Sequence, residues 1–348
     1  MAGLRFDLRD APEGAAELRA EVRAFLAEHA PNFTPEIRAR SWMGFDRDFT
    51  RAVGAKGWIG MCWPREFGGA ERSFLERNIV LEEMLAAGAP VGAHWIGDRQ
   101  SGPLILRLGT EEQKRHFLPR IASGEYAFCI GLSEPDSGSD LASLRTKAEK
   151  VDGGWKLNGR KIWTTFGHLC DWMIALVRTS PAPEGGARHI GLSQVLVNLR
   201  APGVHIRPIR DLVGEKGFNE ITFDDVMLPE DALVGQEGAG WAQATSELAF
   251  ERSGPDRYLS SHPLLEAAMT TLKQDNAAAP ALGRQVARLW ALRNMSVAVA
   301  GMLEDGQDPV RQAALVKDLG NDFEQALPNV VRDLIATEDM PEDMRRMH

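Results

Sequence analysis

Cysteine is scarce in this chain: three among 348 residues, Cys62, Cys129 and Cys170, an odd number at wide spacing and without a Cys/His pairing. Neither a disulfide framework nor a zinc site is implied. No apolar run reaches the roughly 18 residues needed to cross a bilayer, and 44% hydrophobic with 26% charged residues is the composition of a soluble globular protein. Positive charge is in deficit, 40 Lys and Arg against 49 Asp and Glu for a net charge of −9, so no broad cationic field for nucleic acid is advertised. A charged-then-apolar leader is missing too. Met1 to Pro12 is a short polar lead-in, and a cytoplasmic location is the expectation. Internal repeats and low-complexity tracts are also lacking. What remains is a chain too long for one ordinary core, hence two or three packed domains.

Helical periodicity opens and closes the sequence. Leu18, Val22, Phe25 and Leu26 fall on one face of a predicted helix from Ala15 to Ala30, with Glu17, Arg19, Glu21, Arg23 and Glu28 on the other. Phe49 to Gly57, Ser73 to Ala87 and Pro103 to Leu118 continue the pattern around a turn-rich connection from Trp58 to Gly69. After Gly124 the texture changes to short β-branched or aromatic runs: Tyr126 to Leu132, Trp155 to Leu157, Lys161 to Trp163, Trp172 to Arg178, Gly191 to Leu199, Val204 to Ile209 and Glu220 to Leu228. Asn158-Gly159 between two of them is a type I′ hairpin signal. Helices return over Trp241 to Arg252, Leu282 to Leu303 and Val310 to Leu327. The predicted class is α+β: an N-terminal helical domain over 1–124, a middle antiparallel β-barrel over 125–236, and a C-terminal helical bundle over 237–348.

Three segments could carry chemistry. Leu132-Ser-Glu-Pro-Asp-Ser-Gly-Ser-Asp140 puts turn-forming residues behind a strand, a nest of N–H groups and hydroxyls suited to phosphate, or a plain solvent loop. Lys161-Ile-Trp-Thr-Thr-Phe-Gly167 places an indole beside two hydroxyls, where a flat cofactor could stack on Trp163 and bond Thr165, or where there is simply a half-buried strand. On the helix from Trp241, Glu247 and Glu251 share a face and Arg252 follows. A buried carboxylate there could act as a general base; an exposed one would be surface charge. His94, His116, His168, His189 and His205 show no ligand spacing, and no metal is inferred. No Gly-x-Ser-x-Gly elbow or dinucleotide fingerprint occurs.

In order along the chain, Gly57 to Gly69, Gly109 to Pro119, Ser133 to Asp140, Asn158 to Thr165, and Phe218 to Pro229 with Val234 to Trp241 resemble the motifs of the acyl-CoA dehydrogenase family. The resemblance implies the helical, β-barrel, helical architecture and a FAD enzyme of lipid metabolism that converts an acyl-CoA thioester to the trans-2-enoyl-CoA. A glutamate would take the α-proton while the β-hydrogen leaves as hydride to flavin N5, with enolate-like charge stabilised on the thioester oxygen. By position, Leu132 and Ser133 would meet the flavin pyrimidine edge. Gly138 and Ser139 would lie near the pyrophosphate or the CoA chain, and Trp163 and Thr165 would flank the isoalloxazine. Glu251, which precedes Arg252 as in the group resembling isovaleryl-CoA dehydrogenase, would be the base. Arg252 would stand near the thioester, with Glu247 as a substitute for the base.

Two departures accompany the resemblance. The region Asp256 to Gln285 lacks the Arg-x-x-Phe-Gly element that reaches a neighbouring subunit's FAD, and the late Gly-Gly segment is absent before His348. A truncated sequence, or contacts supplied by a related subunit, would account for both. The expected partners are therefore an acyl-CoA, an electron-transfer flavoprotein, and either copies of this chain in a dimer or tetramer or a related subunit in a heteromer. Two other readings are a non-catalytic or half-site subunit, and an oxidase or monooxygenase on the same fold.

Overall fold

A computed structural model describes residues 4–246 and 254–348. Its helices are α1 (Ala15–His29), α2 (Pro35–Arg40), α3 (Arg47–Ala55), α4 (Phe74–Ala86), α5 (Gly92–Ile96), α6 (Gly102–Leu108) and α7 (Glu111–Ala122) before the strands. The strands are β1 (Phe128–Gly131), β2 (Lys147–Val151), β3 (Gly154–Thr165), β4 (Trp172–Arg178), β5 (Leu192–Asn198), β6 (Val204–Ile209), β7 (Phe218–Pro229) and β8 (Leu233–Val234). After them come α8 (Gly240–Ser246), α9 (His262–Thr271), α10 (Ala279–Glu304), α11 (Val310–Leu334) and α12 (Glu342–Met347). Two compact units result, one of Met1–Thr50, Glu71–Gly92 and Leu248–His348, the other of Arg51–Ala70 and Ala93–Glu247.

In the helical unit α1 buries Leu18, Val22, Phe25 and Leu26, the stripe expected from their spacing, and packs on α4. Helix α4 starts where Ser73 Oγ accepts the Glu76 N–H at 3.0 Å and the Glu76 carboxylate accepts the Ser73 N–H at 2.9 Å, a reciprocal cap that satisfies two otherwise unpaired donors. Helix α10 packs on α4 and α11, with Val299, Ala313 and Val316 in one core cluster. Buried Glu82 and Glu83 on α4 tie the helices together. Glu83 accepts Arg23 Nε at 2.7 Å and also pairs with Arg19, while Glu82 accepts Arg19 Nη2 at 2.6 Å and Arg293 Nη2 at 3.1 Å.

In the other unit the predicted run from Pro103 to Leu118 is two helices. Gly109 ends α6, and Thr110 starts α7 by accepting the Gln113 N–H at 3.2 Å. The sheet order is β6-β7-β3-β2-β4-β5-β8, with β1 paired to β4. Most pairings are antiparallel as expected. The exceptions are β1 alongside β4 and a single parallel pairing of β2 with β4, which make the sheet mixed.

The hairpin signal is corrected. Asn158-Gly159 lies inside β3, and the β2–β3 turn is Asp152-Gly153, with Gly153 at φ +78°. Gly159 instead sits at a register shift against β7, where a Cβ would come within 2.6 Å of Thr146 Cα. Asn158 turns outward and donates Nδ2–H to Asp225 at 2.8 Å. Strand β2 has no counterpart in the sequence reading because Lys147-Ala-Glu-Lys-Val151 shows only one apolar side chain to the core, Ala148.

Candidate active site

The end of β1 and the second half of β3 meet along one edge. Beyond β1, the Leu132 carbonyl accepts the Lys161 Nζ–H at 2.9 Å and the Ser133 carbonyl accepts the Ile162 N–H at 2.9 Å. The loop that follows is not an open nest. Glu134 and Ser137 exchange backbone hydrogen bonds at 3.0 and 3.1 Å, so two of the N–H groups expected to face a ligand are spent within the loop. Gly138 and Ser139 are exposed at its outer turn. The next residue, Asp140, is held by the Ser143 hydroxyl at 2.7 Å and by Arg188 Nη1 at 2.8 Å.

On β3 a second register shift falls between Lys161 and Thr164. Within it Trp163 takes φ +61°, and Phe166 beyond it takes φ +57°. Left-handed backbone at a bulky residue costs about 1–3 kcal/mol and persists only where the surroundings impose it, often at functional sites. The consequence is an indole 57% exposed, with the Phe218 ring edge-on at 6.2 Å. Thr165, half-buried, pairs with Phe218 across to β7. Leu132, Ser133, Trp163 and Thr165 are thus brought to one edge. The candidate base Glu251, its substitute Glu247, and Arg252 lie outside the described residues.

The sequence reading missed the charge beneath this edge. Lys161 is fully buried, and its Nζ contacts the Glu134 carboxylate at 2.9 Å. Burial pushes the Lys161 ammonium down to about 8, a fall that the nearby Glu134 charge only partly offsets. Burial also acts to raise the Glu134 carboxyl, but the Lys161 charge and hydrogen bonds from Thr146 and Arg145 outweigh it and hold the carboxyl below its usual range. Both groups are therefore ionised near neutrality. A lysine on the core face of a strand was the available signal, since such a charge requires a partner.

Three further polar atoms near the edge have no hydrogen-bond partner: Thr164 Oγ1, Asn219 Oδ1 and His168 Nδ1. Thr164 and Asn219 face each other across β3 and β7, and Asn219 Nδ2 donates to the Thr164 carbonyl at 3.0 Å. The exposed indole of Trp163 with the half-buried Thr165 hydroxyl two residues on fits a flat heteroaromatic group. Among the described residues no His, Cys, Asp or Glu group gathers to hold a metal, and no helix is long and apolar enough to cross a membrane.

Comparison with solved structures assigns the fold to the acyl-CoA dehydrogenase type. The structure titled Tcur3481-Tcur3483 steroid ACAD superposes with TM-score 0.84 at 28% identity, over 98% of this chain and 92% of that one. The ChsE4-ChsE5 complex from Mycobacterium tuberculosis superposes with TM-score 0.81 at 30% identity, over 97% and 92%. By sequence, residues 12–125 match the acyl-CoA dehydrogenase N-terminal domain and residues 129–226 the middle domain. Acyl-CoA dehydrogenase IpdE1 of M. tuberculosis is 36% identical over 92% of this chain and 85% of its own. This chain belongs to the acyl-CoA dehydrogenase family, oxidoreductases that act on the CH–CH group of acyl-CoA with a flavin as acceptor.

Proposed function

We propose that this chain binds FAD along the Leu132–Ser133 and Trp163–Thr165 edge and removes the α and β hydrogens of an acyl-CoA, giving the trans-2-enoyl-CoA. The observation that carries the proposal is Trp163, turned outward on left-handed backbone beside Thr165. When bound, FAD supplies an acceptor for the β-hydrogen as hydride at N5. The chain does the rest. Leu132 and Ser133 offer backbone and hydroxyl groups to the flavin's pyrimidine edge, Trp163 and Thr165 flank the ring, and Gly138 and Ser139 lie toward the pyrophosphate or the CoA chain. Glu251 takes the α-proton, while Arg252 stands near the thioester. A carboxylate alone is too weak a base for this proton, so hydrogen bonds to the thioester oxygen must lower the cost of the enolate-like charge.

Electrons leave to an electron-transfer flavoprotein, and the enzyme works in the cytoplasm within lipid metabolism. Its organisation is a helical domain over 1–124, a β domain over 125–236 and a helical domain over 237–348. A second reading is a half-site subunit completed by a related partner, either in place of a homodimer or tetramer or without catalysis of its own. It is supported by the missing Arg-x-x-Phe-Gly element and by two similar solved structures whose titles each pair two proteins.

The test is anaerobic flavin reduction. Purified protein, alone or co-expressed with a related subunit, is expected to be yellow and to bleach with an acyl-CoA. Glu251→Gln is expected to retain FAD and lose bleaching by roughly 100- to 10,000-fold, the range for removing a general base. Unchanged turnover would move the base elsewhere, and colourless protein that becomes active only on co-expression would favour the half-site reading.

A further inference from the structure

We propose that Lys161 and Glu134 form a positioning pair that locks the two halves of the flavin-facing edge into one rigid rim. The inference rests on the proposed flavin site for its purpose but not for its geometry.

The local arrangement is specific. Lys161 Nζ donates to the Leu132 carbonyl and to Glu134 Oε1, both at 2.9 Å. The same carboxylate oxygen accepts the Thr146 N–H at 2.8 Å, and Glu134 Oε2 accepts the Arg145 N–H at 2.7 Å. One residue along β3, Ile162 N–H closes on the Ser133 carbonyl, and the residue after that is the outward-turned Trp163. The ammonium therefore holds the Leu132 carbonyl and Glu134, while the next residue of β3 holds the Ser133 carbonyl one position before Trp163. Gly131 makes room for it: a Cβ there would come within 3.3 Å of Lys161 Cγ and 2.6 Å of Met173 Sδ.

Packing gives no reason for a lysine at this position, because an apolar side chain of similar length would fill it without desolvating an ammonium. The gain from the charge is directional. It satisfies the Leu132 carbonyl while holding the carboxylate that fixes the start of the loop. Without the pair, the segment carrying Leu132 and Ser133 keeps only the Ile162 bond to β3. Its distance from Trp163 and Thr165 then fluctuates, and a ligand spanning both halves must order them on binding.

The test uses the full-length protein, with its partner subunit if one is required, and the double variant Lys161→Met with Glu134→Gln. The double variant leaves no buried charge at the pair, and the single glutamine oxygen can accept from Thr146 or from Arg145 but not from both, because the amide nitrogen is a donor. Hydrogen exchange on flavin-free protein is expected to show Ile162 N–H protection reduced at least tenfold, with the β4–β5 amides unchanged. FAD is expected to bind about tenfold more weakly with a shifted visible absorption band, a signature that a general loss of stability would not produce at temperatures where the variant is fully folded. Wild-type exchange at Ile162, or wild-type affinity with an unshifted band, would overturn the proposal. Glu134→Gln alone strips the buried Lys161 of its carboxylate and costs more global stability than the double variant, but it keeps the Leu132 bond. Compared where both are fully folded, it is expected to give the smaller change in both readouts, and an effect equal to the double variant's would overturn the role given to Lys161. Failure of the unsubstituted protein to take up FAD would instead sink the flavin reading, and the exchange measurement would then decide on the pair alone.

Discussion

Among the buried charges of the sheet-bearing unit is a lysine, Lys161, wholly enclosed and paired with the Glu134 carboxylate. Among those of the helical unit are two glutamates on α4, Glu82 and Glu83, met by Arg19, Arg23 and Arg293, whose side chains keep 24%, 67% and 31% of their exposure. These arginines stay partly exposed, so the cationic side of the network keeps contact with water although the two carboxylates are buried. The Lys161 ammonium has no such outlet. A charge network with access to water fastens helices together at small cost, whereas a sealed pair costs more and is retained where position matters more than stability.

The largest effect should come from removing one partner of the sealed pair. Glu134→Ala leaves Lys161 buried and uncompensated and is expected to cost about 3–5 kcal/mol in denaturant unfolding. Glu82→Ala, whose arginines can turn to water, is expected to cost about 1–2 kcal/mol. Equal costs would break the comparison.

Next is Glu324 on α11, a partly buried acid in the helical unit. It accepts the Ser260 N–H at 2.7 Å, and burial pushes it up to about 7 from 4.5. A raised folded-state value means the folded chain holds this proton more tightly than the unfolded one. The contribution is full below 4.5 and is lost as pH rises through 7. Glu324→Gln is therefore expected to remove a stability decline of up to about 3 kcal/mol between pH 5 and pH 8, read from denaturant midpoints at both. A decline as steep as wild type would assign the pH dependence to another group. The smallest effect is at the rim. Arg23→Ala removes a bidentate contact to Glu83 from a side chain 67% exposed and should cost no more than about 1 kcal/mol.

Much of the fold was legible. The stripe of α1, the helical run from Ser73, and the switch near Gly124 from helical spacing to short β-branched runs are local signals, and the structure follows them. Where it departs, a neighbour distant in sequence decided. Asn158-Gly159 has turn chemistry, but pairing with β7 carried β3 through it, and Thr146 beside Gly159 explains the glycine. Strand β2 is held by its partners rather than by its own residues. Of the proposed site, the sequence singled out Leu132, Ser133, Trp163 and Thr165, and Gly138 and Ser139 on the exposed turn of the loop between them. It did not mark Lys161 or Glu134, because a lysine and a glutamate read as surface residues until a fold encloses them.

By itself, then, the sequence determined the principal helical runs, where the sheet begins, and which family the chain resembles, since periodicity, propensity and motif order act over a few residues and survive without a fold. Only tertiary structure decided that residues 27 positions apart would form a sealed ion pair and that an indole would be forced outward above it. Burial, and with it the energy of a charge, is a property of everything that surrounds a side chain in space.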